Sequence, residues 1–184
     1  FSPIEIASGC PHHYHAKPSD KAKVESSDMA IYIDDQFEEF FASLLKGYKG
    51  DMLRISSFNT IIFKEGVNRT NWHFWLDLDN VREAVIALSS HIIKKYPDLK
   101  SEIEENVRNS IKKLQELEQQ KVNMMNNINV PIILSQSVEH FFDEGEPAIF
   151  MVKASNPSLN FTKTLIEEIN RNSQHCLILD EHED

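Results

Sequence analysis

A long apolar periodicity in the middle of the chain constrains the fold more than any other feature. Between Leu99 and Ile128, apolar residues recur at a spacing of about three to four, as a helix with one buried face requires. They are Leu99, Ile103, Val107, Ile111, Leu114, Leu117, Val122, Met125 and Ile128. At about 1.5 Å per residue such a helix measures roughly 45 Å, which is enough to cross a whole domain. We therefore predict a structural spine here, and the opening run of four-residue steps favours it over a coiled coil.

Shorter segments on both sides of this helix alternate between strand-like and helix-like patterns. Strands are predicted at 28–34, 53–55, 60–63, 129–134, 148–152 and 176–179. Helices are predicted at 19–26, 35–46, 79–95 and 162–172, and a helix or turn at 138–142. Strands that alternate with helices favour a parallel sheet, whose ligands gather at the carboxyl ends of the strands. The predicted fold class is α/β.

Three of the eight histidines lie within four positions near the start of the chain, at His12, His13 and His15. Pro11 and Pro18 bracket them and keep the backbone out of regular structure, so the rings lie on a loop with few accessible conformations. Imidazole is the commonest side-chain ligand for metals such as zinc. The segment is a candidate metal site, although a polar, solvated loop is an equally valid interpretation of the three histidines alone.

Two motifs occur in order along the chain, and each contains a histidine. In the first, Gly9-Cys10-Pro11-His12-His13-Tyr14 is followed by Pro18-Ser19-Asp20, a short helix and the strand at 28–34. The second is Asn71-Trp72-His73-Phe74-Trp75-Leu76-Asp77, which is similar to an Asp-Pro-His-x-Trp-Leu-Asp segment. Together they resemble the metal-receptor family of ABC importers, the solute-binding proteins for zinc and manganese.

The resemblance implies an α/β architecture of two lobes with parallel sheets, joined by one long rigid helix. On that pattern, residues 1–97 form a partial N-terminal lobe, 98–128 the connecting helix and 129–184 a partial C-terminal lobe. Both lobes are expected to be incomplete, because the resemblance covers only about two-thirds of a typical family member. A rigid connector implies that release of the metal changes mainly the site.

The family's metal site implies ligands at matching positions of this chain. His12 and His73 match the first two family histidines, and Asp180 stands about where the family carboxylate falls. The third family histidine is missing, because the strand ending at Leu134 is followed by Ser135-Gln136-Ser137. His140 lies a few residues further on and is the candidate substitute. Zinc accepts three protein ligands and a water, so three matching residues suffice for binding.

The implied function is that of a periplasmic-type solute-binding protein, not an enzyme. We expect it to capture Zn²⁺, with Mn²⁺ as the alternative, for the membrane permease of an ABC importer. A zinc-dependent hydrolase using the same histidines and Asp180 is the second hypothesis, but no general base or substrate cleft is specified. A third is a degenerate fragment of a receptor. No phosphate-binding loop, Gly-x-Ser-x-Gly elbow or His-Glu-x-x-His helix is present in the sequence.

Composition limits the partners and the compartment. The formal net charge of -10 argues against binding to nucleic acid or to an anionic membrane surface. The chain opens at Phe1 and shows no signal peptide, so a periplasmic location is an expectation from the resemblance alone. We expect a monomer. Cys10 and Cys176 define no disulfide framework, and for Cys10 a small buried thiol is favoured over a metal ligand.

Overall fold

The chain divides into two units, Phe1–Asn59 and Thr60–Glu183, in the computed structural model. The structure describes residues 3–4, 14–65, 70–128, 130, 132–142, 149–152, 163, 166–167, 170–171 and 176–178. Two predicted ligands, His12 and Asp180, lie outside these residues, as does Cys10. The predicted division into lobes at 97 and 128 stays a prediction.

The first unit is built around two parallel strands and two helices. Helix α1 (Pro18–Glu25) precedes strand β1 (Met29–Tyr32), and helix α2 (Glu39–Leu44) precedes strand β2 (Asp51–Arg54). The strands pair in parallel with Met29 opposite Asp51 and Tyr32 opposite Arg54. The two helices contribute Val24, Phe41 and Leu44 to a buried cluster that includes Ala30 of β1. Burial of these apolar side chains is what holds the helices on the strands.

Helix α2 is much shorter than the predicted helix at 35–46, because polar side chains stabilise a turn before it. Asp34 accepts a hydrogen bond at Oδ1 from the backbone N–H of Gln36 at 2.9 Å, an arrangement that competes with helix formation. The Glu38 carboxylate accepts from the backbone N–H of Ile33 at 2.6 Å. Burial nevertheless raises the pKa of Glu38, because desolvation of its charge outweighs that hydrogen bond.

The second unit contains a hairpin, two long helices and a three-stranded sheet. Strands β3 (Lys64–Glu65) and β4 (Thr70–Asn71) pair antiparallel, with Lys64 opposite Asn71. Helices α3 (Leu78–Lys95) and α4 (Lys100–Met125) follow and pack against each other. Strands β5 (Ile132–Ser135), β6 (Ile149–Val152) and β7 (Cys176–Ile178) form a parallel sheet in the order β6-β5-β7. The predicted α/β class with parallel strand pairing is confirmed.

The long helix predicted at 99–128 is confirmed as α4, and its carboxyl end meets the sheet. Met125, the last residue of α4, is 6% exposed and packs with Ile132 and Phe142, which are 0% and 5% exposed. Pro97 begins a short 3₁₀ turn between α3 and α4, because a proline without a backbone N–H cannot continue α3.

The predicted strand at 60–63 is absent, because its backbone bonds to a side chain instead. Asn80 of α3 accepts from the N–H of Ile62 at 2.8 Å and donates to the carbonyl of the same residue at 2.8 Å. These two bonds replace the partner that a neighbouring strand would supply. The cap of α3 is Asp77, whose side chain accepts from the N–H groups of Asp79 and Asn80. The chain before β3 is thereby anchored to the start of α3.

Candidate metal site

Alternating burial places His73 between two core aromatic residues. Trp72 and Phe74 are 8% and 5% exposed, while His73 is half-buried and Trp75 is 39% exposed. The ring of Phe63 lies 5.1 Å from that of Trp72 and 5.5 Å from that of Phe74, so one aromatic side chain contacts both. These aromatic contacts bury the side chains on either side of His73. His73 is therefore not a fully buried core histidine.

Asn71 fixes the protonation pattern of the His73 ring. The backbone N–H of His73 donates to Oδ1 of Asn71 at 3.2 Å, which identifies that atom as the amide oxygen. Nδ1 of His73 lies 2.8 Å from the same oxygen. An amide oxygen only accepts, so Nδ1 carries the hydrogen, and in the neutral ring Nε2 holds the lone pair. Histidines that bind metals typically donate their other ring N–H to such an acceptor.

His140 lies in the same unit and is held against the β3–β4 hairpin. It belongs to the 3₁₀ turn Gln136–Phe141 and is 2% exposed. Its Nε2 lies 2.9 Å from the backbone carbonyl oxygen of Asn71. Burial lowers the pKa of His140, because the buried ring resists charging, and this outweighs the opposing effect of the Asn71 carbonyl. The ring is therefore neutral near pH 7.

The end of the histidine-rich loop is tied to the first turn of α1. Asp20 is 5% exposed, and its Oδ2 accepts from the hydroxyl of Tyr14 at 2.7 Å and from the N–H of Lys17 at 2.8 Å. The Lys17 N–H, followed by the Tyr14 hydroxyl, holds the pKa of Asp20 below its ordinary value. The hydrogen bond to Asp20 raises the pKa of Tyr14. These bonds tie the side chain of Tyr14 and the backbone of Lys17 to the start of α1.

The structure brings His73 and His140 together through Asn71. The ring of His73 bonds to the side-chain oxygen of Asn71, and the ring of His140 bonds to its backbone oxygen. Among the described residues, no three His, Cys, Asp or Glu side chains are grouped so that they could hold a metal ion. That search does not include His12 or Asp180, which lie outside the described part of the chain. The four predicted ligands stay a prediction as a set.

Sequence reasoning assigned no role to Asn71 and did not predict that Asp20 bonds to Tyr14 and Lys17. The role of Asn71 could have been found from its position, because its side chain is a hydrogen-bond acceptor two residues before the candidate ligand His73, within the same motif. For Asp20, the signal was a carboxylate three residues after Lys17, at the spacing of a capping box.

The family model described as zinc-uptake complex component A, periplasmic, matches residues 6–182. This match covers nearly the whole chain, and the chain belongs to that family. It is 32% identical over 177 residues to the uncharacterized protein RP014 of Rickettsia prowazekii, covering 96% of this chain and 58% of that one. It is also 24% identical to the manganese ABC transporter substrate-binding lipoprotein PsaA of Streptococcus anginosus, covering 92% of this chain and 61% of the relative. The chain therefore spans about three-fifths of the length of these relatives.

The fold is also found among solved metal receptors. The zinc-bound crystal structure of a ZnuA deletion mutant superposes with a TM-score of 0.78 at 18% identity, over 96% of this chain and 70% of that one. The predicted family resemblance and fold class are confirmed by these matches. Within the described residues, no helix has both the length and the apolar character needed to cross a membrane.

Proposed function

We propose that this chain is the metal-binding part of a receptor that captures Zn²⁺ for an ABC importer. Its ligands are His12, His73 and Asp180, and a water completes the coordination. The observation that carries the proposal is the His73–Asn71 contact, because it leaves Nε2 of His73 as the nitrogen with the lone pair. A receptor of this kind delivers its metal to a membrane permease outside the cytoplasm and catalyses no reaction.

Zinc is proposed over manganese on the chemistry of the ligands. Two imidazoles and one carboxylate suit Zn²⁺, whereas Mn²⁺ prefers sites rich in carboxylate, carbonyl and water oxygens. The zinc-bound ZnuA neighbour supports this choice, and the manganese receptor PsaA supports the alternative. Zn²⁺ also outcompetes Mn²⁺ at most sites of mixed nitrogen and oxygen ligands, so relative affinity alone does not identify the metal that is transported.

Calorimetric titration of the purified chain with Zn²⁺ tests the proposed ligands. We expect about one Zn²⁺ per chain, and we expect His12→Ala and His73→Ala each to weaken binding by at least tenfold, since each removes a nitrogen ligand. Affinity should also fall as the pH drops through about 6.5, where protons compete for imidazole.

His91→Ala is the matched control, because His91 is half-buried on α3 and has no proposed role in binding. It should bind Zn²⁺ as the unchanged chain does. Undiminished affinity in both His12→Ala and His73→Ala would show that the assigned site is wrong.

A further inference from the structure

His140 contacts the segment that carries His73, although 67 positions separate the two histidines in the sequence. Its Nε2 lies 2.9 Å from the carbonyl oxygen of Asn71 in β4. A carbonyl oxygen only accepts, so Nε2 of His140 must carry the hydrogen. The backbone N–H of Lys64 also points at Nε2, at 3.4 Å, but it cannot donate to a nitrogen that is already protonated. The shorter contact, to Asn71, is the hydrogen bond.

The other nitrogen of His140 makes no such bond. Nδ1 is buried and has no hydrogen-bond partner within the part of the chain that the structure describes. An unpartnered buried acceptor is costly, so an apolar residue at this position would avoid a penalty that His140 incurs. The gain that offsets this penalty is the single bond from Nε2 to Asn71.

Lys64 holds the turn that carries His140 in place. Its ammonium donates to the backbone carbonyl of Glu139 at 2.9 Å and to that of Phe142 at 3.0 Å. Lys64 is also the residue directly opposite Asn71 in the β3–β4 pairing. Two contacts therefore join the turn to the hairpin: the ammonium of Lys64 bonds to the turn, and the ring of His140 bonds to the backbone carbonyl of Asn71.

We propose that His140 is a positioning residue for His73 and that it acts through Asn71. The bond from Nε2 of His140 fixes the backbone of Asn71, and the side-chain oxygen of Asn71 then holds the His73 ring with its hydrogen on Nδ1. His140 is thus assigned a role other than that of the substitute metal ligand. The expected effect of His140 on metal binding rests on the proposed function. The expected effect of His140 on the ring of His73 is independent of that function.

The test compares two substitutions of His140 in the metal-free chain. His140→Phe removes the donor and keeps a ring of similar shape, whereas His140→Gln restores an N–H donor near the position of Nε2. Two-dimensional proton–nitrogen NMR at a pH where the imidazoles are neutral reports which ring nitrogen of His73 carries the hydrogen. The unchanged chain should show the Nδ1–H form of His73. His140→Phe should show a mixture of both forms, and His140→Gln should return to the Nδ1–H form.

Zinc titration of the same variants gives the second readout. Loss of a group that orients a metal ligand typically weakens binding about 10- to 100-fold, so His140→Phe should lose affinity in that range and His140→Gln should regain most of it. His91→Phe controls for the loss of a histidine elsewhere. If His140→Phe keeps both the Nδ1–H form of His73 and its zinc affinity, the proposal is overturned. If His140→Phe keeps the Nδ1–H form of His73 but loses zinc affinity that His140→Gln does not restore, the positioning role is overturned and a ligand role for His140 takes its place.

A measurement on the unchanged chain decides the case if His140→Phe does not fold. His140 itself must then show the Nε2–H form, and an Nδ1–H form would overturn the proposal, because no bond to Asn71 could exist. The NMR result is independent of metal. A chain that binds no Zn²⁺ but shows both expected ring forms would contradict the proposed function and leave the positioning role intact.

Discussion

One asparagine oxygen satisfies two donors at the candidate site. Oδ1 of Asn71 accepts from both the backbone N–H and the ring Nδ1 of His73, and an amide oxygen has the two lone pairs that this requires. Asn71 is 5% exposed, so these bonds compete little with water. The orientation of the His73 ring, a proposed metal ligand, is thereby set before any metal arrives. Such preorganisation lowers the cost of binding.

Asp20 performs a comparable task at the other motif, and its ionisation links the loop to pH. Its pKa is held below the ordinary value in the folded chain, mainly by the N–H of Lys17. A carboxylate with a depressed pKa stabilises the fold above its unfolded pKa of about 3.9 and loses that contribution as the pH falls through the folded value. The loop end at Tyr14 should therefore loosen in acid.

Asp20→Asn should lower the urea midpoint of unfolding at pH 7 and should reduce the loss of stability between pH 5 and pH 2. The reason is that the amide cannot supply the charge that Lys17 and Tyr14 bond to. Glu25→Gln, an exposed change on the same helix, is the control and should alter neither quantity appreciably. Equal pH profiles for Asp20→Asn and the unchanged chain would contradict this account.

Among the elements, α4 shows how far a hydrophobic pattern predicts packing. Its position was predicted to within a few residues, because the periodicity extends over seven turns. The burial of its side chains was not predicted correctly. Leu114, a predicted core position, is only half-buried, and Leu117 and Val122 are 48% and 46% exposed. A periodic apolar pattern indicates which face of a helix can be buried. How much of that face is buried depends on the elements that pack against it.

Met125→Ala should cost about 2 to 5 kcal/mol of unfolding free energy, because this side chain is buried against Ile132 and Phe142. Leu117→Ala on the same helix should cost less than about 1 kcal/mol, since its side chain is nearly half exposed. Urea denaturation of both variants measures the difference. If the two substitutions are equally mild, the carboxyl end of α4 does not form a core with β5.

The shorter elements were harder to predict, for a specific reason. The segments at 35–46 and 60–63 have the apolar patterns of a helix and a strand, but backbone groups in both segments bond to polar side chains instead. Asp34 does this in the first segment and Asn80 in the second, and the partner of Asn80 lies 18 positions away. Where a polar side chain competes for the backbone, the local pattern does not settle the outcome.

For the whole molecule, the sequence predicted the α/β class and the family, because both depend on patterns that are local in the chain. The motif around His73 was found in the same way. The hydrogen bond between His140 and Asn71 could not be predicted in this way. It joins positions 69 residues apart and forms only when the turn after β5 packs on the β3–β4 hairpin. A residue that orients a ligand from another element leaves no local pattern.

X-ray absorption at the zinc edge, on the chain loaded with one equivalent of Zn²⁺, tests the central claim most directly. The account predicts about four nitrogen or oxygen neighbours at about 2.0 to 2.2 Å, two of them imidazoles. His73→Ala should lose one imidazole from this shell, and His91→Ala should lose none. A shell that keeps both imidazoles in His73→Ala would contradict zinc binding through His73, and a sulfur neighbour at about 2.3 Å would contradict the proposed set of nitrogen and oxygen ligands.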